Sequence, residues 1–130
     1  MPSVIKALLD SSSVLAFIRG EPHSLDEDQV LAGAGISSVN LAEVIGVLLA
    51  KGVPDERIAL AIDRLGLKVV PLEGEAAALA GRLIPRGRPL NIGLGDCACI
   101  ATGIVLGVPI YTGDPDWLQL EVDADIKLIR

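Results

Sequence analysis

Short apolar runs alternate along the chain with longer stretches whose apolar residues recur every three or four positions. The first run, Val4 to Leu9, is apolar apart from Lys6 and reads as a buried strand ended by the turn-favouring Asp10-Ser11-Ser12. Val14, Leu15, Phe17 and Ile18 then mark a helix, capped by one of those three polar residues and stopped near Gly20-Glu21-Pro22. Ser24 stands where it can cap a second helix, with Glu27 completing a capping box and Gly33 and Gly35 ending it. Ile36 to Ser38 reads as a short strand, and Val39 to Lys51 as a helix with Leu41, Val44, Ile45, Leu48 and Leu49 toward the core. Gly52 closes that helix, Pro54 starts the next over Asp55 to Leu65, and Gly66 stops it. Lys68 to Leu72 reads as an edge strand, because Pro71 cannot donate to a ladder. Glu73 to Leu83 is alanine-rich and helical, whereas the prolines and glycines of Pro85 to Gly93 predict a surface loop. Leu94 to Leu106 is the most apolar helix, Pro109 to Thr112 a strand, Asp116 to Leu120 a helical turn, and Ile126 to Ile129 a last strand.

Alternating strands and helices, with strands that are continuous apolar runs, predict an α/β fold: a parallel sheet covered by helices on both faces. A chain of 130 residues suits one domain with one core, taken here as residues 1–130. No apolar run reaches the ~18 residues of a membrane span. The N-terminus lacks the pattern of a secretory signal, so the cytoplasm is the expected location.

Chemistry enters through four acids placed beside these apolar elements. Asp10 ends the first strand, Glu43 lies one turn into the helix after Ile36–Ser38, Asp96 opens the Leu94–Leu106 helix, and Asp114 follows Pro109–Thr112. Burying an unpaired carboxylate is costly, so each must reach water or bind a cation. In a parallel sheet the strands' carboxyl ends share one edge, where open α/β sheets bind ligands, and crossover helices begin there. All four acids therefore map to one rim, with Asn40 on the same helix face as Glu43. Gathered carboxylates repel one another by ~4 kcal/mol per pair at about 4 Å and an effective dielectric of roughly 20. Mg²⁺ or Mn²⁺ removes that cost and can activate water for attack on a phosphoryl group. His23 is the sole histidine, which leaves Ser-His-Asp or Cys-His machinery without a base. Cys97 and Cys99, one residue apart on a helix, face different sides and read as reduced core thiols.

Each acid also has a plain structural reading: a helix cap at Asp10, a solvated helix residue at Glu43, a macrodipole partner at Asp96, a turn residue at Asp114. Asp116 competes with Asp114 for the fourth place, and Ser12 could orient a carboxylate or simply cap a helix. The net charge of −6 disfavours a nucleic-acid partner in bulk, but Arg82, Arg86 and Arg88 form a dense basic stretch eight residues before Asp96. That stretch is a candidate phosphate contact, or a solvated loop.

Leu9-Asp10-Ser11-Ser12, Ile36-Ser37-Ser38-Val39-Asn40-Leu41-Ala42-Glu43-Val44, Leu94-Gly95-Asp96 with Ala98, and Tyr111-Thr112-Gly113-Asp114 followed by Trp117 closely resemble the successive motifs of PIN-domain proteins. The likeness covers nearly the whole chain and is nearest to the VapC-type toxins of prokaryotic toxin–antitoxin pairs. It implies a three-layer α/β/α fold and a Mg²⁺- or Mn²⁺-dependent endoribonuclease that forms homodimers and is restrained by a cognate antitoxin. The family's four acids match Asp10, Glu43, Asp96 and Asp114, and its small hydroxyl residue matches Ser12. Gly93 stands where many members carry a serine. Two other classes compete: a PIN-like interaction module whose metal site is idle, and a receiver-type phospho-acceptor domain. The second lacks its strand-end lysine, since Lys68 starts a strand and Lys127 lies inside one.

Overall fold

In a computed structural model that describes residues 4–130, five parallel strands form one sheet in the order β3-β2-β1-β4-β5. The strands are β1 (Ala7–Leu9), β2 (Ala34–Ser37), β3 (Lys68–Val70), β4 (Ile110–Thr112) and β5 (Ile126–Leu128). The helices are α1 (Ser11–Arg19), α2 (Glu27–Leu31), α3 (Ser38–Ala50), α4 (Asp55–Leu65), α5 (Gly74–Gly87) and α6 (Leu94–Leu106). Two short 3₁₀ turns cover Arg88–Leu90 and Pro115–Gln119.

Neighbouring residues of one strand serve opposite layers, as the two-residue side-chain period requires. Leu8 joins a cluster with Ala80 and Leu83 of α5, Ile100 of α6, Ile110 and Trp117. Leu9 joins another with Val14 and Phe17 of α1, Ile36, Val44 and Leu48 of α3, and Ile58 of α4. The α/β/α sandwich therefore has α5 and α6 on one face and α1, α3 and α4 on the other. Both cysteines are buried free thiols in α6. No described helix is long and apolar enough to cross a membrane.

Chain order reverses between β1 and β4: β2 and β3 extend one way, β4 and β5 the other. Such a switch point opens a crevice at the carboxyl edge, because the connections leaving the two strands diverge.

Several boundaries differ from the sequence reading. β1 begins at Ala7 rather than Val4, which is 73% exposed. Asp26, not Ser24, caps α2 by accepting from the Gln29 N–H at 3.2 Å; the Ser24 hydroxyl donates to the Ile129 carbonyl. Gly35 lies inside β2, where a Cβ would come within 3.1 Å of the Lys68 carbonyl and 3.2 Å of Ile5, so it serves close strand approach instead of helix termination. Leu49 faces outward, 48% exposed. The loop expected over Pro85–Gly93 is mostly helical, because α5 continues through Pro85 to Gly87. Gly87 packs on Ile92, which is buried: a Cβ there would sit 2.8 Å from the Ile92 carbonyl.

Candidate active site

The segment after β1 turns directly into α1, and Asp10 is its N-cap, accepting from the Ser13 N–H at 2.8 Å. Only 2% of Asp10 is exposed. Its carboxylate also accepts from the Ser12 hydroxyl at 2.8 Å and the Thr112 hydroxyl at 2.6 Å. Burial raises its pKa, and these hydrogen bonds oppose the rise without cancelling it. The donors are themselves anchored across the switch point. Ser12 Oγ accepts from the Gly113 N–H at 2.9 Å, and Thr112 Oγ1 from the Asp114 N–H at 3.1 Å.

A second group comes from α3 and α6. Asn40 is fully buried, and its amide donates to Glu43 Oε1 at 2.8 Å and to the Gly95 carbonyl at 3.0 Å. Glu43 is exposed and reaches along α3 toward α6 until its carboxylate occupies the space where a Cβ at residue 95 would be. Asp96 follows immediately, half-buried, accepting from the Gly93 N–H at 3.2 Å. Its pKa is pushed up to about 6, first by burial and then by the charges of Asp10, Glu43 and Asp114. Asp114 caps the Pro115–Gln119 turn by accepting from the Asp116 N–H at 2.9 Å.

Asp10, Glu43 and Asp114 each lie within electrostatic reach of Asp96. Ser12 and Asn40 each hydrogen-bond one of them. Asp116 is exposed and accepts from Gln119 at 3.3 Å. Of the three candidate arginines, Arg86 donates to the Glu121 carbonyl, while Arg82 and Arg88 are exposed. Two residues were not anticipated. Thr112 follows from β1–β4 pairing, which a single sequence does not declare. Arg130 lies with its guanidinium over Gly113; its place directly after the last apolar run was the available signal, since strand ends share the carboxyl edge.

The donor set consists of carboxylate oxygens with an unpartnered buried oxygen, Asn40 Oδ1, beside them. These are hard ligands suited to Mg²⁺ or Mn²⁺, and mutual repulsion at Asp96 is the electrostatic strain a cation relieves. Among the described residues, no three His, Cys, Asp or Glu side chains are drawn closely enough to make a ready-made cage. A recess of about 650 Å³ between α2 and the start of β1 contains none of the four acids.

A switch-point parallel sheet rimmed by converging acids defines a class of α/β proteins that act at the strands' carboxyl ends. Within it, the PIN domain family model matches residues 7–123, and the chain belongs to that family. The fold is shared with the DNA-bound VapBC of Salmonella typhimurium (TM-score 0.78, 17% identity, 98% of this chain and 100% of that one). VapBC2 of Rickettsia felis bound to a promoter DNA fragment is also similar (0.74, 15%, 95% and 98%). So is VapBC-5 of Mycobacterium tuberculosis, a member of the VapBC toxin–antitoxin family (0.62, 21%, 99% and 99%). No curated protein sequence matches the chain significantly.

Proposed function

We propose that this chain is a divalent-metal-dependent endoribonuclease and the toxin of a toxin–antitoxin pair. The observation that carries the reading is the hydrogen-bonded framework around the acids: Asp10 held by Thr112 of β4, and Glu43 joined through the buried Asn40 to the Gly95 carbonyl beside Asp96. Membership of the PIN family and the likeness to VapBC complexes support it.

Asp10, Glu43, Asp96 and Asp114 would hold Mg²⁺ or Mn²⁺. When bound, such an ion lowers the pKa of a water and stabilises charge on a phosphoryl group. The chain's own contribution is orientation. Ser12 and Thr112 fix both Asp10 oxygens, so that carboxylate cannot swing to solvent. Asn40 aims Glu43 while bracing α3 against the first turn of α6. Asp114 ties the β4 end to the following turn, where the buried Trp117 anchors it in the core. Arg82 and Arg88 are exposed cations available to RNA phosphates; Arg86 has its carbonyl partner already. A cognate antitoxin and a second copy of the chain are the protein partners this reading brings, and the cytoplasm its setting.

The test is cleavage of RNA by purified protein with Mn²⁺, with Mg²⁺ and with excess chelator. Cleavage that depends on the metal and vanishes in Asp10→Asn is the expected result. Metal-independent cleavage, or none, overturns the proposal. The lack of a ready-made acid triad among the described residues favours a second reading, an interaction module with an idle site. Calorimetric titration separates the two: no Mn²⁺ binding in the millimolar range selects the module.

A further inference from the structure

We propose that Arg130 is a substrate-positioning residue of this site, its guanidinium holding a phosphate of the RNA; the inference rests on the ribonuclease reading above. Strand register places it there. Thr112 pairs with Leu128 across β4 and β5, so Arg130 follows β5 as Asp114 follows β4. The Ile129 N–H donates to the Thr112 carbonyl at 3.0 Å, and the Ser24 N–H donates to the Ile129 carbonyl at 2.7 Å, which fixes the backbone leading into Arg130.

Glycine at residue 113 makes room for the guanidinium. A Cβ on Gly113 would lie 2.8 Å from Arg130 Nη2, 3.2 Å from its Cζ and 3.3 Å from Ser12 Oγ. Gly113 is not among the residues with positive φ, so it supplies space and not a special conformation. The cation therefore borders the hydroxyl that donates to Asp10.

Arg130 is exposed, and among the described residues its side chain makes one hydrogen bond, a long one from Nη1 to the Pro22 carbonyl at 3.4 Å. Among the described residues no side-chain carboxylate lies within 4.0 Å of it; the Arg and Lys ion pairs are Arg19–Glu21 and Lys127–Asp125. A guanidinium presents five N–H donors in a planar fork that matches phosphate oxygens in pairs. Here most of that fork is unused, over Gly113 and near Ser12, the hydroxyl donor to the buried Asp10, at a rim whose acids would repel a polyanion. A cation at this rim offsets the repulsion locally and gives the backbone of a bound strand a fixed point over Gly113, between Thr112 and Asp114.

The experiment is steady-state cleavage of a single-stranded RNA oligonucleotide with Mn²⁺ by wild type, Arg130→Ala and Arg130→Lys. It is joined by RNA-binding titrations across salt concentration in an Asp10→Asn background, with and without Arg130→Ala. Arg130→Ala should raise KM about tenfold with kcat within about threefold of wild type. The slope of log affinity against log salt should fall by about 0.7, one single-strand phosphate contact. Arg130→Lys, which keeps the charge and loses the fork, should be intermediate. A wild type that cleaves, with Arg130→Ala matching it in KM and salt slope, overturns this inference alone. So does a loss confined to kcat with weakened Mn²⁺ binding, which would make Arg130 a tuner of the acids. A wild type that neither binds nor cleaves RNA overturns both readings.

Discussion

The two halves of the acidic rim solve the same problem in opposite ways. At the β1–β4 switch point Asp10 is buried and its carboxylate is met by a backbone N–H and two hydroxyls, each hydroxyl held in turn by a backbone N–H. At the α3–α6 junction Glu43 is exposed, and half-buried Asp96 accepts from the Gly93 N–H while the charges of Asp10, Glu43 and Asp114 add to the effect of burial on its pKa. Donors can stabilise one buried carboxylate without a metal, whereas repulsion among several is relieved only by a cation or a proton. The first half is therefore a preset anchor, and the second is where occupancy of the site should change stability.

The comparison breaks most visibly at the anchor. Asp10→Asn should reduce metal-dependent RNA cleavage by about 10³-fold or more, with circular dichroism showing the fold retained. One amide oxygen can still cap α1, but the set of donors around residue 10 no longer meets a charged acceptor. Cleavage within tenfold of wild type in carefully purified protein would remove Asp10 from the mechanism.

At the other half, the informative change adds a single carbon. Gly95→Ala places a Cβ in the space of the Glu43 carboxylate. Glu43 is an exposed side chain and can move aside, and alanine favours a helix, so stability should change little. Mn²⁺ affinity, read by calorimetry, should fall roughly 10–100-fold, as for other displaced ligand supports. Unchanged affinity would mean Glu43 does not need its present position.

Asn40 links Glu43 to the Gly95 carbonyl from full burial. Asn40→Ala loses both bonds but also removes an unpartnered buried oxygen, so the two effects partly cancel. The expected cost is about 1 kcal/mol, at the low end of the range for breaking buried hydrogen bonds, measured as a lower urea midpoint. A variant as stable as wild type would show that the orphaned oxygen cancels the value of the amide bonds.

The sequence made the anchor easier to read than the junction. Asp10 and Asp114 follow apolar runs, and any residue in that place falls on the carboxyl edge of a parallel sheet. Glu43 and Asp96 reach the same rim only because α3 and α6 cross it, and what brings them together is Gly95, whose meaning is a missing Cβ and is invisible without coordinates. Thr112 stayed hidden for the same reason: it counts through a strand pairing. Local rules failed where tertiary packing overrode them. Pro85 did not end α5, and Ser24 lost its cap to Asp26 while its own hydroxyl turned to the Ile129 carbonyl. Arg130 was legible in principle, one residue beyond the expected final strand, but nothing in the chain distinguishes a strand-end arginine over a glycine from one in solvent.

The smallest effect tests the junction's repulsion most directly. Asp96 has its folded-state pKa raised from 3.8 to about 6, so between those values the native protein keeps a proton that the unfolded chain has released. Stability of the metal-free protein must then fall as pH rises through that window and level off above it. Asp10, also raised, pulls in the same direction, but it is common to wild type and variant and drops out of their difference. Asp96→Asn keeps an oxygen for the Gly93 N–H and removes the charge. In chelator at pH 7.5 the variant should melt roughly 2–5 °C above wild type, and the gap should close below pH 4, where wild-type Asp96 is itself neutral. With saturating Mn²⁺ the order should invert, because a cation stabilises the charged wild-type site and not the amide. A pH-independent gap, or one that persists in Mn²⁺, would show that the substitution acts through packing at the start of α6 and that the four acids do not share one field.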